Sequence, residues 1–176
     1  MTKTALVLLL FFAAPCALPA DDPAVRIEPS NPQTTRLLQK QTADSAIRDY
    51  LQSWQSLRTA LEQNRPDLLD QSFVGTALDR LKNTIEQQAN LGLHTRYQDR
   101  AHDLHIDFYS PDGLSIRLID NADYDQQAID HDKVLATERV RRRYVVVLTP
   151  TEVRWRVRIF QADPDETPAA INDRVR

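Results

Sequence analysis

Residues 139–160 constrain this chain more than any other stretch. Apolar and charged positions alternate there with a period of two, first through Val140, Tyr144, Val146 and Leu148, then through Val153, Trp155, Val157 and Ile159. That period belongs to strands with one buried face, and Thr149, Pro150 and Thr151 between the runs read as a turn. The two runs form a long antiparallel hairpin whose apolar side needs a second layer to cover it.

The covering layer comes earlier. From Thr42, the residues Ile47, Tyr50, Leu51, Trp54, Leu57 and Leu61 recur at helical spacing until Pro66 ends the helix. Pro66 opens a short second helix containing Leu68 and Leu69. After Gly75, Thr76 with Asp79 is a capping arrangement, and Ala77, Leu78, Leu81, Ile85 and Ala89 line a further helix that Gly92 stops. The period then becomes two: His102, Leu104, Ile106 and Phe108 face inward, and His105, Asp107 and Tyr109 face outward. Turn residues 110–113 lead to a return strand through Leu114, Ile116 and Leu118. The aspartate-rich residues 121–132 read as a long loop or a frayed strand extension.

The predicted fold class is therefore α+β, with N-terminal helices packed on a curved antiparallel sheet as residues 42–161. Residues 1–20 read as a signal peptide: Lys3, an apolar run over 5–14, and Pro19-Ala20 before Asp21. The run is too short to span a bilayer, so the expected location is secreted or periplasmic. Residues 21–41, with Pro23, Pro29 and Pro32, read as an extended leader that precedes the structured part, and 162–176 as a loose tail. Cys16 is the only cysteine. Its surroundings lack the leucine and small residue of a lipoprotein signal, and its removal with the leader would leave no thiol or disulfide.

The order of elements resembles the nuclear-transport-factor-2-like cone folds. Within them, Tyr50-Leu-Gln-Ser-Trp54, residues 75–81, residues 104–114, Arg143-Tyr144 and Val153-Arg-Trp-Arg-Val157 are similar to the intermembrane-space domain of plastid-division proteins and its bacterial relatives. The resemblance implies a non-catalytic module that binds the tail of a membrane partner. The identity of that partner does not transfer, and the expected function is a non-catalytic binding module for a small apolar ligand or a peptide segment of an envelope or secreted protein. Enzymes on the same kind of cone, isomerases, cyclases and dehydratases, imply the alternative, proton-transfer chemistry in the cavity.

Tyr50, Trp54, Phe73, His102, Phe108 and Trp155 are the candidate ligand-binding residues, because large rings facing the space between helices and sheet suit an apolar ligand. The same pattern also describes core filling. Alternation along the strand puts His105 and Asp107 opposite His102, so no buried carboxylate poised on an imidazole is evident, and no catalytic residue is assigned. His102 and His105 on opposite faces exclude a zinc pair. Asp120, Asp123, Asp125, Asp130 and Asp132 lack the glycine turn and terminal glutamate of a calcium loop, so neither metal nor cofactor is expected.

Arg139, Arg141 and Arg143, with Arg154, Arg156 and Arg158 on the facing strand, form the candidate partner-binding surface. With Leu148 opposite Val153, Arg143 would lie across from Arg158, where an anionic partner, or Asp103 and Asp107, would have to offset the repulsion, and the face is expected to support association with an anionic partner or a second copy of the sheet. The chain carries a formal charge of −3, or −4 without Lys3, and only three glycines. This argues against nucleic acid and against a glycine-rich phosphate loop.

Overall fold

The computed structural model describes residues 23–28 and 36–163. Residues 1–20, read above as a signal peptide, and the tail from residue 164 lie outside the described residues. Helix α1 runs Lys40–Gln63, followed by a 3₁₀ turn at Pro66–Leu69 and helix α2 at Gly75–Asn90. Five strands, β1 Ala24–Ile27, β2 Leu93–Tyr109, β3 Ile116–Asp130, β4 Lys133–Pro150 and β5 Trp155–Ala162, make one sheet in sequence order. All pairings are antiparallel except β1 with β2.

The helices lie on the concave side. Ile47, Tyr50, Trp54, Leu57 and Leu61 of α1 are buried against Leu104, Ile106, Leu118, Val146, Leu148 and Val157 of the sheet. Asn64 closes α1 in the left-handed region at φ 52°, and Gly92, at φ 71°, turns the chain from α2 into β2. Glycine, and after it asparagine, adopts this region at a lower cost than other residues do.

Several expectations need correction. The leader is not wholly outside the structure: Ala24–Ile27 pairs in parallel with residues 101–104 of β2. Thr76 does not cap α2. The N-cap is Val74, with no side-chain cap, while Thr76 Oγ1 reaches the carbonyl of Arg158 at 3.4 Å. Of the two readings of residues 121–132, a long loop or a strand extension, the structure has the second: residues 121–130 are the second half of β3. Asp123 and Asp125 face outward, where Arg139 and Arg100 hold them, and Ala122 and Tyr124 face in.

The register of the last hairpin also differs. Thr151 bonds Arg154 across the turn, so the turn lies at 151–154, and Leu148 pairs with Val157 instead of Val153. Arg158 is then an extra residue in β5, between the Leu148 pair and the Val147–Ile159 pair. A bulge of one residue exchanges the two faces of a strand beyond it. Consequently Ile159 is exposed and Phe160 joins the core, while Val153 stands at 88% exposure in the turn.

That shift disperses the arginine face. Arg143 lies beside Asp163, 3.3 Å away, rather than across from Arg158. Arg139 and Arg141 share Asp123 at 2.7 and 3.3 Å. Arg156 donates to the carbonyls of Asp70 and Phe73, fastening the segment after the 3₁₀ turn to β5. Asp103 and Asp107 instead hold Arg26 and Arg117.

Candidate functional site

Strand β2 positions the site through an irregularity. Asp99 pairs with Tyr124 and Ala101 with Asp123, leaving Arg100 as a bulged extra residue. Tyr97 and Asp99 precede the bulge and His102 follows it, so residues three apart point to the same concave face. A second bulge at Asp107 turns Tyr109 inward at 6% exposure and leaves Phe108 on the outer side under Arg117, 5.9 Å from its ring. Phe108 therefore does not line the cone, which corrects its assignment among the cavity residues.

On β3 the period of two runs unbroken from Ile116 through Leu118 to Asp120, which is fully buried. Asp120 Oδ2 accepts a hydrogen bond from Tyr50 Oη at 2.6 Å and lies 2.8 Å from His102 Nδ1. On the other side of the imidazole, Nε2 stands 3.9 Å from Asp99 Oδ2, and that carboxylate is held by Arg58 at 2.7 Å. A buried chain thus runs Tyr50, Asp120, His102, Asp99, Arg58. A carboxylate poised on His102, not evident from strand alternation, is present.

The charges in this chain are mutually supporting. Burial alone would push the His102 pKa down, but Asp120 and Asp99 outweigh it and hold it up at about 9. Burial also opposes ionisation of Asp99, yet His102, Trp54 and Arg58 keep its carboxyl below the usual range. Tyr50 is raised well above the ordinary phenol, first by burial and then by the Asp120 charge. The imidazole thus lies between the carboxyl groups of Asp120 and Asp99, with the Arg58 guanidinium behind the second.

The sign of the linkage follows. A histidine raised from 6.5 to about 9 contributes fully below pH 6.5, and its contribution disappears as pH rises through 9. Urea unfolding at pH 6, 7.5 and 9 should therefore show stability falling by on the order of 3 kcal/mol across that window. A flat profile would mean that His102 is not held as a cation.

Trp54 covers the imidazole edge-on at 4.9 Å between centroids, and Tyr97, Tyr124, Tyr144 and Phe160 surround it at 5.5 to 6.1 Å. Of the residues expected to line a cavity, Tyr50, Trp54, Phe73, His102 and Trp155 are all 8% exposed or less. They fill the core. Within it, Trp54 Nε1, Asp99 Oδ1, His102 Nε2 and Asp120 Oδ1 are buried without hydrogen-bond partners.

The rim of the cone is where rings meet solvent. Tyr97 and Phe160 are half-buried there, Phe160 stacks on Tyr144 at 4.6 Å, and Tyr124 and Tyr144 share a 2.7 Å hydroxyl contact. Arg142, exposed on β4, belongs to this rim. Burial raises Tyr97 to about 12, and the Arg142 charge works against that rise, as it does at Tyr144. Strand parity could have found Arg142, since 140, 142 and 144 share a face. Its odd-numbered neighbours Arg139, Arg141 and Arg143 drew attention to the other face.

No protein-family model and no curated protein matches the chain. Among solved structures, it is similar to the intermembrane space region of the chloroplast protein ARC6. The TM-score is 0.58 at 16% identity, over 72% of this chain and 98% of that one. It is also similar to a putative scytalone dehydratase from Novosphingobium aromaticivorans, with TM-score 0.51 at 14% identity over 71% and 89% of the two chains. At such identities the likeness establishes architecture and leaves chemistry to the site. With two helices laid on a curved, mostly antiparallel five-stranded sheet, this is an α+β protein with the nuclear-transport-factor-2-like cone fold.

Proposed function

We propose that this chain is a non-catalytic binding module of the secreted or periplasmic space, taking a small apolar ligand with an anionic group at the wide end of the cone. The observation that carries this reading is the rim: Tyr97, Tyr144 and Phe160 supply ring surface, and exposed Arg142 supplies a cation beside it. An apolar body on the rings and an anion on the guanidinium is the recognition that such a rim supports. The buried chain argues against His102 as a general base, because the carboxyl groups on either side hold its pKa up at about 9. Among the described residues, no helix is long and apolar enough to cross a membrane.

Titration with 2-naphthoate and with its neutral counterpart 2-naphthalenemethanol, followed by tryptophan fluorescence, tests the reading. The carboxylate should bind about tenfold more tightly, and Arg142→Leu should erase the preference. Equal binding of the two probes, or of neither, would overturn it.

A second reading, an isomerase-, cyclase- or dehydratase-type enzyme, is favoured by one observation. Trp54 Nε1, His102 Nε2 and Asp99 Oδ1 are orphaned polar atoms within the core, and the charged imidazole has a proton to donate. This reading requires Trp54 to move aside for a substrate. Stopped-flow fluorescence showing no change in Trp54 environment with any bound ligand would remove it.

A further inference from the structure

Strand β5 covers only half of β4. The ladder between them ends where the Asp163 amide donates to the Arg143 carbonyl at 2.9 Å, and among the described residues no strand pairs with the remaining outer edge of β4, residues 133–142. In an antiparallel ladder both backbone groups of a residue point to the same neighbour, and successive residues alternate. Arg143 faces the β5 side, so Arg141, Arg139 and Thr137 turn their N–H and C=O groups toward the open edge, while Val140 and Glu138 bond toward β3.

Charge selects what can pair there. Residues 133–141 hold Lys133, Arg139 and Arg141 against the single acid Glu138. Of the nearby carboxylates, Asp123 is divided between Arg139 and Arg141 and Asp125 is held by Arg100, which leaves three exposed guanidinium groups on two anions. Arginines on an edge also guard it against self-association, since a second copy in the register that joins Arg139 to Arg141 sets like charges opposite. An incoming strand with acidic side chains at alternate positions meets no such penalty.

We infer that the open edge of β4 at residues 137–141 is a docking site for an extended acidic peptide segment of a partner protein, which adds to the sheet as an antiparallel strand. Backbone bonds to Thr137, Arg139 and Arg141 supply the pairing, and acidic side chains opposite Arg139 and Arg141 supply the selectivity. This surface is separate from the rim of the cone.

The probe is an acetylated, amidated Glu-Val octapeptide of alternating sequence, with its Lys-Val counterpart and a backbone N-methylated Glu-Val version as controls. Hydrogen exchange read by NMR should slow by about tenfold or more at the amides of residues 137, 139 and 141 on adding the Glu-Val peptide, and at none of them with either control. Thr137→Pro should abolish the effect while leaving the fold and naphthoate binding intact, because that amide has no partner within the sheet. Protection that the Lys-Val peptide reproduces would overturn the proposal. So would unchanged exchange, protection by a single-stranded oligonucleotide, or protection that grows with protein concentration and signals a second copy on the edge.

Discussion

Replacing Trp54 by alanine should cost about 3 to 5 kcal/mol of folding stability, the range for removing a large aromatic side chain from a core. Trp54 is 3% exposed and has five aromatic neighbours, so no single one of them can move to fill the space it leaves. The loss has a second component, because the indole separates His102 from the rim and water admitted through the gap would solvate the charged chain. Trp155→Ala, at 8% exposure, loses ring packing only, since its backbone amide keeps its bond to Asp49 at 2.9 Å. Urea denaturation checks both, and a loss below about 1 kcal/mol at both positions would place neither indole in a packed interior.

The architecture was legible because periodicity reports burial. Helix α1 was found from Ile47, Tyr50, Trp54, Leu57 and Leu61, and the two hairpins from alternation and turn residues. What was not legible turns on four residues out of register. Arg100, Asp107, Leu135 and Arg158 are each an extra residue in a ladder, and no residue type announces them. Arg100 hid Asp99 from His102, and Asp107 exchanged Phe108 for Tyr109. Arg158 replaced Ile159 by Phe160 in the core and separated the arginines that a regular hairpin would have gathered.

Asp120 was hidden for a different reason. The run Ile116, Leu118, Asp120, Ala122, Tyr124 keeps strict alternation, but aspartates at 120, 123 and 125 make the segment look solvated. Asp123 and Asp125 do face outward, toward Arg139 and Arg100. Of these three only Asp120 points inside, where composition is a poor guide and a partner decides whether burial is tolerable. Tyr50 and His102 were both noticed as ingredients of chemistry. Their meeting point was not, because Asp120 was grouped with the outward-facing aspartates that follow it.

Removing Asp120 should show that the buried chain acts as a unit. Asp120→Ala leaves Tyr50 without its acceptor and takes one of two carboxylates from His102, so the imidazole loses its reason to be charged. Breaking a buried ionic group at one member costs about 3 to 5 kcal/mol, since the remaining polar atoms keep their desolvation without compensation. In the same variant the His102 pKa should fall from about 9, and the loss of stability between pH 6.5 and 9 should flatten. Changing the members together has a different expected result. Tyr50→Phe, Asp120→Leu and His102→Leu in one chain should cost clearly less than the sum of the single changes, because no orphaned partner is left around Asp120, while Asp99 keeps Arg58. Urea unfolding of the single and combined variants measures the difference. Additive losses would mean that the three side chains contribute separately, and that the alignment of Tyr50, Asp120 and His102 stabilises nothing as a group.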